Sequence, residues 1–137
     1  MPSERFISIS KAIADELKSQ GQPASFMFRP PIELKNLVFR ICVIPKDEQI
    51  EIETRTSNRI SSHVVIGVQR KASKVDAETE KLIELVRNIG RKYLRRRICG
   101  SCCTTATNQP IYDAEELADT DMFTGVVELT FIGRETA

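Results

Sequence analysis

The sequence predicts an α+β fold: a twisted antiparallel sheet of roughly four strands with two main helices packed on one face, in the order α-β-β-β-α-β. Three observations predict it. Apolar residues recur at helical spacing in one stretch near the start and another past the middle, and at alternate positions in the stretches between and at the end. The chain has 137 residues, which suits one domain over residues 1–137 with a core that needs neither disulfide nor metal. Hydrophobic residues make up 41% and charged residues 28%, which argues against wholesale disorder.

The first helix is expected over about Arg5 to Ser19, where Phe6, Ile9, Ile13 and Leu17 share a face and Gly21 follows as the stop. Residues 22–34 hold Pro23, Pro30 and Pro31, which forbid a regular helix and favour an extended arm. Phe26 and Phe28 alternate within it, so part of the arm is able to pair as an edge strand. Three strands are expected next. In the first, Leu37, Phe39, Ile41 and Val43 alternate with Val38, Arg40, Cys42 and Ile44, and Pro45 ends it. A turn over Pro45-Lys46-Asp47-Glu48 leads to the second, where Ile50 and Ile52 alternate with Glu51 and Glu53. The third comes after Ser57-Asn58, with Val64, Ile66 and Val68 facing one way and His63, Val65, Gly67 and Gln69 the other. Short turns make the three antiparallel.

The second helix is expected from about Asp76 to Ile98, opened by the capping box Ser73-Lys74-Val75-Asp76. Leu82, Leu85, Val86, Ile89 and Tyr93 fall on one face, and Glu80, Glu84, Arg87, Arg91 and Arg95 on the opposite one. Its acidic first turn and basic last turns both complement the helix dipole, each charge contributing about 0.3–1 kcal/mol at most. A loop over residues 99–110 carries three cysteines, and a short acidic helix is read near Ala114 to Ala118. A strand closes the chain, with Val127, Leu129 and Phe131 alternating with Glu128, Thr130 and Ile132.

Several function classes find no support in the residues. A net charge of +1 shows no global attraction to nucleic acid. No apolar run approaches the roughly 20 residues of a membrane helix, and Met1-Pro2-Ser3-Glu4-Arg5 does not open a secretory signal. The four cysteines are therefore expected as thiols in a reducing, cytoplasmic compartment. The sequence contains no Gly-rich phosphate loop, GxSxG elbow or HExxH pair. His63 sits in a strand with no Ser or Cys placed beside it by spacing, and reads as structural. Neither catalytic residues nor a cofactor are expected.

Two local features invite sharper readings. Cys99, Cys102 and Cys103 form a CxxCC cluster, but zinc wants two ligand pairs, and only Cys42 or His63 remain to complete the set. A redox CxxC normally opens a helix, whereas this one follows a helix end. Ordinary thiols are the first reading, and a zinc or thiol protein is an alternative. The basic run Arg91 to Arg97, with Arg87 before it, is read first as a solvated helix end. It is read second as an interface in which Arg87, Arg91, Arg95, Arg96 and Arg97, with Glu80 and Glu84, meet an acidic neighbour, and third as a phosphate contact. The order α-β-β-β-α also describes double-stranded RNA-binding domains, which hold phosphate at the start of the second helix. Here that position carries Asp76, Glu78 and Glu80.

Taken together, Val43-Ile44-Pro45-Lys46, then Val64 to Lys71, the amphipathic Glu80 to Val86 helix, Gln109-Pro110-Ile111-Tyr112 and the final Phe123 to Thr130 strand follow one another in a set order. In this the chain resembles the tail-terminator (tail-completion, neck) proteins of long-tailed bacteriophages, over roughly residues 6 to 134. The resemblance implies a structural virion protein, assembled in the host cytoplasm, that forms a homo-oligomeric, hexameric ring on the last ring of the tail tube. Such a ring ends tube polymerisation and offers a docking surface to the head-side connector. Its partners would be further copies of itself, the tail tube protein and the head-completion protein, with DNA only as cargo in the lumen and no membrane. The arm with Phe26 and Phe28, and the segment from Gly100 to Pro110, would then reach neighbouring subunits. The CxxCC lies outside the family pattern.

Overall fold

In a computed structural model, residues 5–29, 39–71, 76–108, 112–114, 117–118 and 122–136 are described. The elements in chain order are α1 (Arg5–Ser19), β1 (Ala24–Phe26), β2 (Phe39–Ile52), β3 (Ser57–Lys71), α2 (Asp76–Tyr93), β4 (Arg97–Ile98), β5 (Ser101–Thr107) and β6 (Met122–Thr136). The fold class is α+β, as expected, but the sheet has six strands in the order β1-β2-β3-β6-β5-β4. It is mixed, because β1 runs parallel to β2 while every other pair is antiparallel.

The strand count differs from the sequence reading for three physical reasons. Pro45 does not end a strand. The first and second expected strands are one, β2, which runs through Pro45 on a register shift between Pro45 and Asp47. Proline lacks the ladder N–H, and the adjacent irregularity in the β2–β3 pairing accommodates that loss. The segment after α2 is not a loop: α2 stops at Tyr93, five residues short of the expected end, and the chain returns as the hairpin β4–β5. Thirdly, the arm does form an edge strand, and Ala24 to Phe26 pair with Ile41 to Val43.

The core lies on one face of this sheet. Ile9, Ile13 and Leu17 of α1 and Leu82, Val86, Ile89 and Tyr93 of α2 pack onto Ile41, Val43, Val64, Ile66, Val68, Val127, Leu129 and Phe131 in one cluster. The expected stripes on both helices and the alternation in β3 and β6 are therefore the ones used. Leu85 lies at the margin, half-buried. Gly21, at φ +84, turns the chain out of α1 in the left-handed region open to glycine. α1 covers the β1–β2–β3 half of the sheet and α2 the β6–β5 half. No helix among the described residues is long and apolar enough to cross a membrane.

Some expectations fall outside the described residues: Pro30 to Leu34, Leu37 and Val38, the Ser73-Lys74-Val75 part of the capping box, and Gln109 to Ile111. Of the short acidic helix, Ala114, Leu117 and Ala118 are helical, and the Leu117 amide donates to the Asp113 carbonyl at 3.1 Å.

Candidate interaction surface

On α2, Glu80, Glu84, Arg87 and Arg91 are exposed, forming the stripe read from the sequence. Glu84 meets Arg91 only loosely, at 3.9 Å. Arg95 and Arg97 are exposed beyond the helix end. Arg95 has left the helix: its φ is +72, and its amide donates to the Cys103 carbonyl at 2.8 Å, which begins the β4–β5 excursion.

Arg96 is placed differently from its neighbours. Its guanidinium donates to both oxygens of Glu16 on α1, at 2.7 and 2.9 Å, and lies 5.4 Å above the Tyr93 ring. Lys92 approaches the same carboxylate at 3.7 Å and also donates to Gln20. Bidentate pairing is the strong form of the ion pair, so Arg96 ties the two helices together within the chain. This contact holds the Glu16 carboxyl below its ordinary value, against the opposing effect of burial. Spacing along the sequence gave no sign of it, because the partners lie 80 residues apart.

Phe26 and Phe28 meet edge to face, with ring centroids 5.0 Å apart, and Lys11 sits 5.5 Å from the Phe26 centroid. Phe28 remains 65% exposed, so that end of the arm presents an aromatic ring to its surroundings.

The cysteine cluster does not converge. Cys99 is exposed in the β4–β5 turn, Cys102 is half-buried opposite Ile132, and Cys103 is buried opposite Phe131 in the core. Alternate residues of a strand point to opposite faces, so Cys102 and Cys103 diverge. Among the described residues no group of three His, Cys, Asp or Glu is placed to hold a metal ion. Burial raises the thiols of Cys103 and Cys42 above their ordinary value, which disfavours the reactive thiolate.

The face of the sheet away from the helices holds features that were not visible in the sequence. His63 pairs with Asp47 through Nδ1 and Oδ1 at 2.5 Å, because the register shift in β2 sets these two residues opposite each other. Beside them Lys46 donates to Glu128 at 3.0 Å, which raises the lysine above its ordinary value. Further along the same face is an apolar hollow of about 380 Å³ lined by Cys42, Ile44, Val65, Gly67 and Val126, with Lys46, Gln69 and Thr124 at its margins. On the opposite, helix-bearing side, where Ile50 stands across from the buried Ile60, Ile50 and Ile52 remain 55% and 87% exposed. A comparison with models of known protein families finds no match, and a search among curated proteins finds none either.

Proposed function

We propose that this chain is a structural assembly protein of the tail-terminator kind, forming a ring, in six copies, that caps a phage tail tube and receives the head-side connector. The reading is supported first by the order and spacing of the segments that resemble that family, including the Val64 to Lys71 and Phe123 to Thr130 strands, which pair side by side in the middle of the sheet. The observation that carries it is the distribution of unsatisfied surface. One face of the sheet is filled by helices, while the other keeps an apolar hollow, and Ile50, Ile52 and Phe28 stand exposed elsewhere on the molecule, the two isoleucines on the helix-bearing side. Apolar surface of this kind suits contact with other protein surfaces. The exposed arginines of α2 and the segment behind it add a charged rim suited to carboxylates.

Light scattering and electron micrographs of the purified protein, alone and with tail tubes, test the reading. Rings that seat on tube ends and halt further growth are expected. A strict monomer that neither joins tubes nor stops their growth overturns it. A second reading, phosphate contact, is favoured by Arg87, Arg95 and Arg97, for which no acidic partner is found among the described residues. A gel shift of duplex RNA with steep salt dependence distinguishes it.

A further inference from the structure

The hollow on the helix-free face exists because of Gly67. A Cβ built there meets nothing within 4 Å, so a missing side chain leaves open space in the middle of β3. Cys42, directly across the ladder from Gly67, and Val65 and Val126 form its apolar lining. At one margin Gln69 and Thr124 face each other across β3 and β6. Gln69 Oε1 and Thr124 Oγ1 are both shut off from solvent and have no hydrogen-bond partner, an unfavourable state for buried polar atoms. The hollow is the size of a small binding pocket.

The surface that fits it lies on the same molecule. Ile50 and Ile52 are two residues apart on β2 and therefore project to the same side, near the tip of the β2–β3 hairpin. With Phe28 they are the large hydrophobic side chains left exposed among the described residues. The charges match as well. Between Glu48 and Arg59 the hairpin carries Glu48, Glu51 and Glu53 against Arg55 and Arg59, a surplus of one negative charge. Around the hollow, on the same face, Arg40, Lys46 and Lys71 stand against Asp47 and Glu128, a surplus of one positive charge. Asn58, the partner of Ile52, lies nine residues from Gly67 along the single strand β3, about 30 Å at strand rise. No hairpin therefore reaches the hollow of its own copy.

We infer that the chain associates head to tail, with the Ile50–Ile52 hairpin of one copy seated in the Gly67 hollow of the next. Hairpin and hollow are different surfaces, so the contact is heterologous. It closes into a ring if the rotation between copies allows and otherwise extends as a filament. In a closed ring every copy makes the contact twice, which adds avidity to an affinity that the single pair already has. The inference names the subunit contact of the ring proposed above and rests on that reading.

Sedimentation velocity of four samples tests it: the unaltered protein, Ile52→Asp, Gly67→Leu, and an equimolar mixture of the two variants. The unaltered protein is expected to assemble and each variant to sediment as a monomer. The mixture is expected to form a heterodimer and nothing larger, because one intact hairpin then meets one intact hollow. Ile52 is exposed and Gly67 has open space, so both variants are expected to keep the cooperative melt of the parent; Ile50→Lys repeats the hairpin test at a second position. Assembly unchanged in the variants, or a mixture that stays monomeric, overturns this contact and leaves the ring reading standing. An unaltered protein that is monomeric both alone and beside tail tubes overturns the two together. If Gly67→Leu abolishes binding of an apolar dye while assembly continues, the hollow takes a small apolar molecule and the contact is likewise overturned.

Discussion

Tyr93 is wholly buried at the end of α2, with Lys92 and Arg96 each within 6 Å of its ring centroid, yet its hydroxyl has no hydrogen-bond partner. Burial and the nearby Glu16 charge push its phenol well above the ordinary range, so it stays protonated. Removing an unpaired buried hydroxyl relieves its desolvation cost, and Tyr93→Phe is expected to be neutral or stabilising by up to about 1 kcal/mol. A thermal melt checks this, and a clear loss of stability would reveal a partner that the geometry does not show. Two carboxylates, Glu16 beside Tyr93 and Glu48 on β2, have opposite relations to pH. Glu16 is held below its ordinary 4.5 by Arg96. Its contribution is therefore complete above about pH 4.5 and is lost as pH falls through the lower, folded value. Glu48 is raised by burial and by Glu135, and its Oε2 is buried without a partner. Its folded form favours the proton, so its contribution is greatest at low pH and is lost as pH rises through the raised value. Glu48→Gln is accordingly expected to raise stability at neutral pH, whereas Glu16→Gln lowers it there and flattens the acid limb. Chemical denaturation at pH 3, 5 and 7 separates the two, as pH values chosen to bracket carboxylate titration. Arg96→Met is expected to cost about 1 kcal/mol, since the guanidinium is partly exposed and solvent screens the pair.

The β4–β5 hairpin shows how much a turn decides. Ile98 pairs with Ser101, leaving Cys99 and Gly100 as a two-residue loop with φ values of +52 and +78. Both central residues in the positive region is the type I′ arrangement, which matches strand twist and favours Asn followed by Gly. Cys99→Asn is therefore expected to stabilise by roughly 0.5–1 kcal/mol and Gly100→Ala to destabilise by a similar amount, each read from the thermal midpoint. In β2, Ile44 to Ile52 lie beyond the reach of β1 and, among the described residues, form an edge. Pro45, the adjacent bulge and the charges of Lys46, Asp47 and Glu51 are devices that discourage indiscriminate pairing along such an edge. α2 illustrates the reverse case, in which local pattern suffices. Its apolar face was readable from spacing alone, and only its C-terminal limit was misjudged, because the basic residues after Tyr93 have good helix propensity and no proline or glycine interrupts them.

For the whole molecule, the decisive element is β6, which lies between β3 and β5 although it is last in the chain. Its pairing with β3 joins Ser57 to Thr136, and it contributes Phe123, Val127, Leu129 and Phe131 to the core. A chain ending before Met122 is therefore expected to show no cooperative thermal transition, a result that circular dichroism would show directly. Pairings of such sequence separation also make folding slow relative to a helical protein of this size. The same organisation explains what was readable beforehand and what was not. Periodicity of 3.6 and of 2 is a local property, so α1, α2, the buried side of β3 and β6 and the fold class were determined by the sequence alone. Whether Pro45 breaks a strand, which residue faces His63, what Arg96 grips and where Gly67 leaves a hollow depend on register and on partners up to 80 residues away. Those questions are settled only when the strands align, because a shift of one residue turns every side chain to the opposite face.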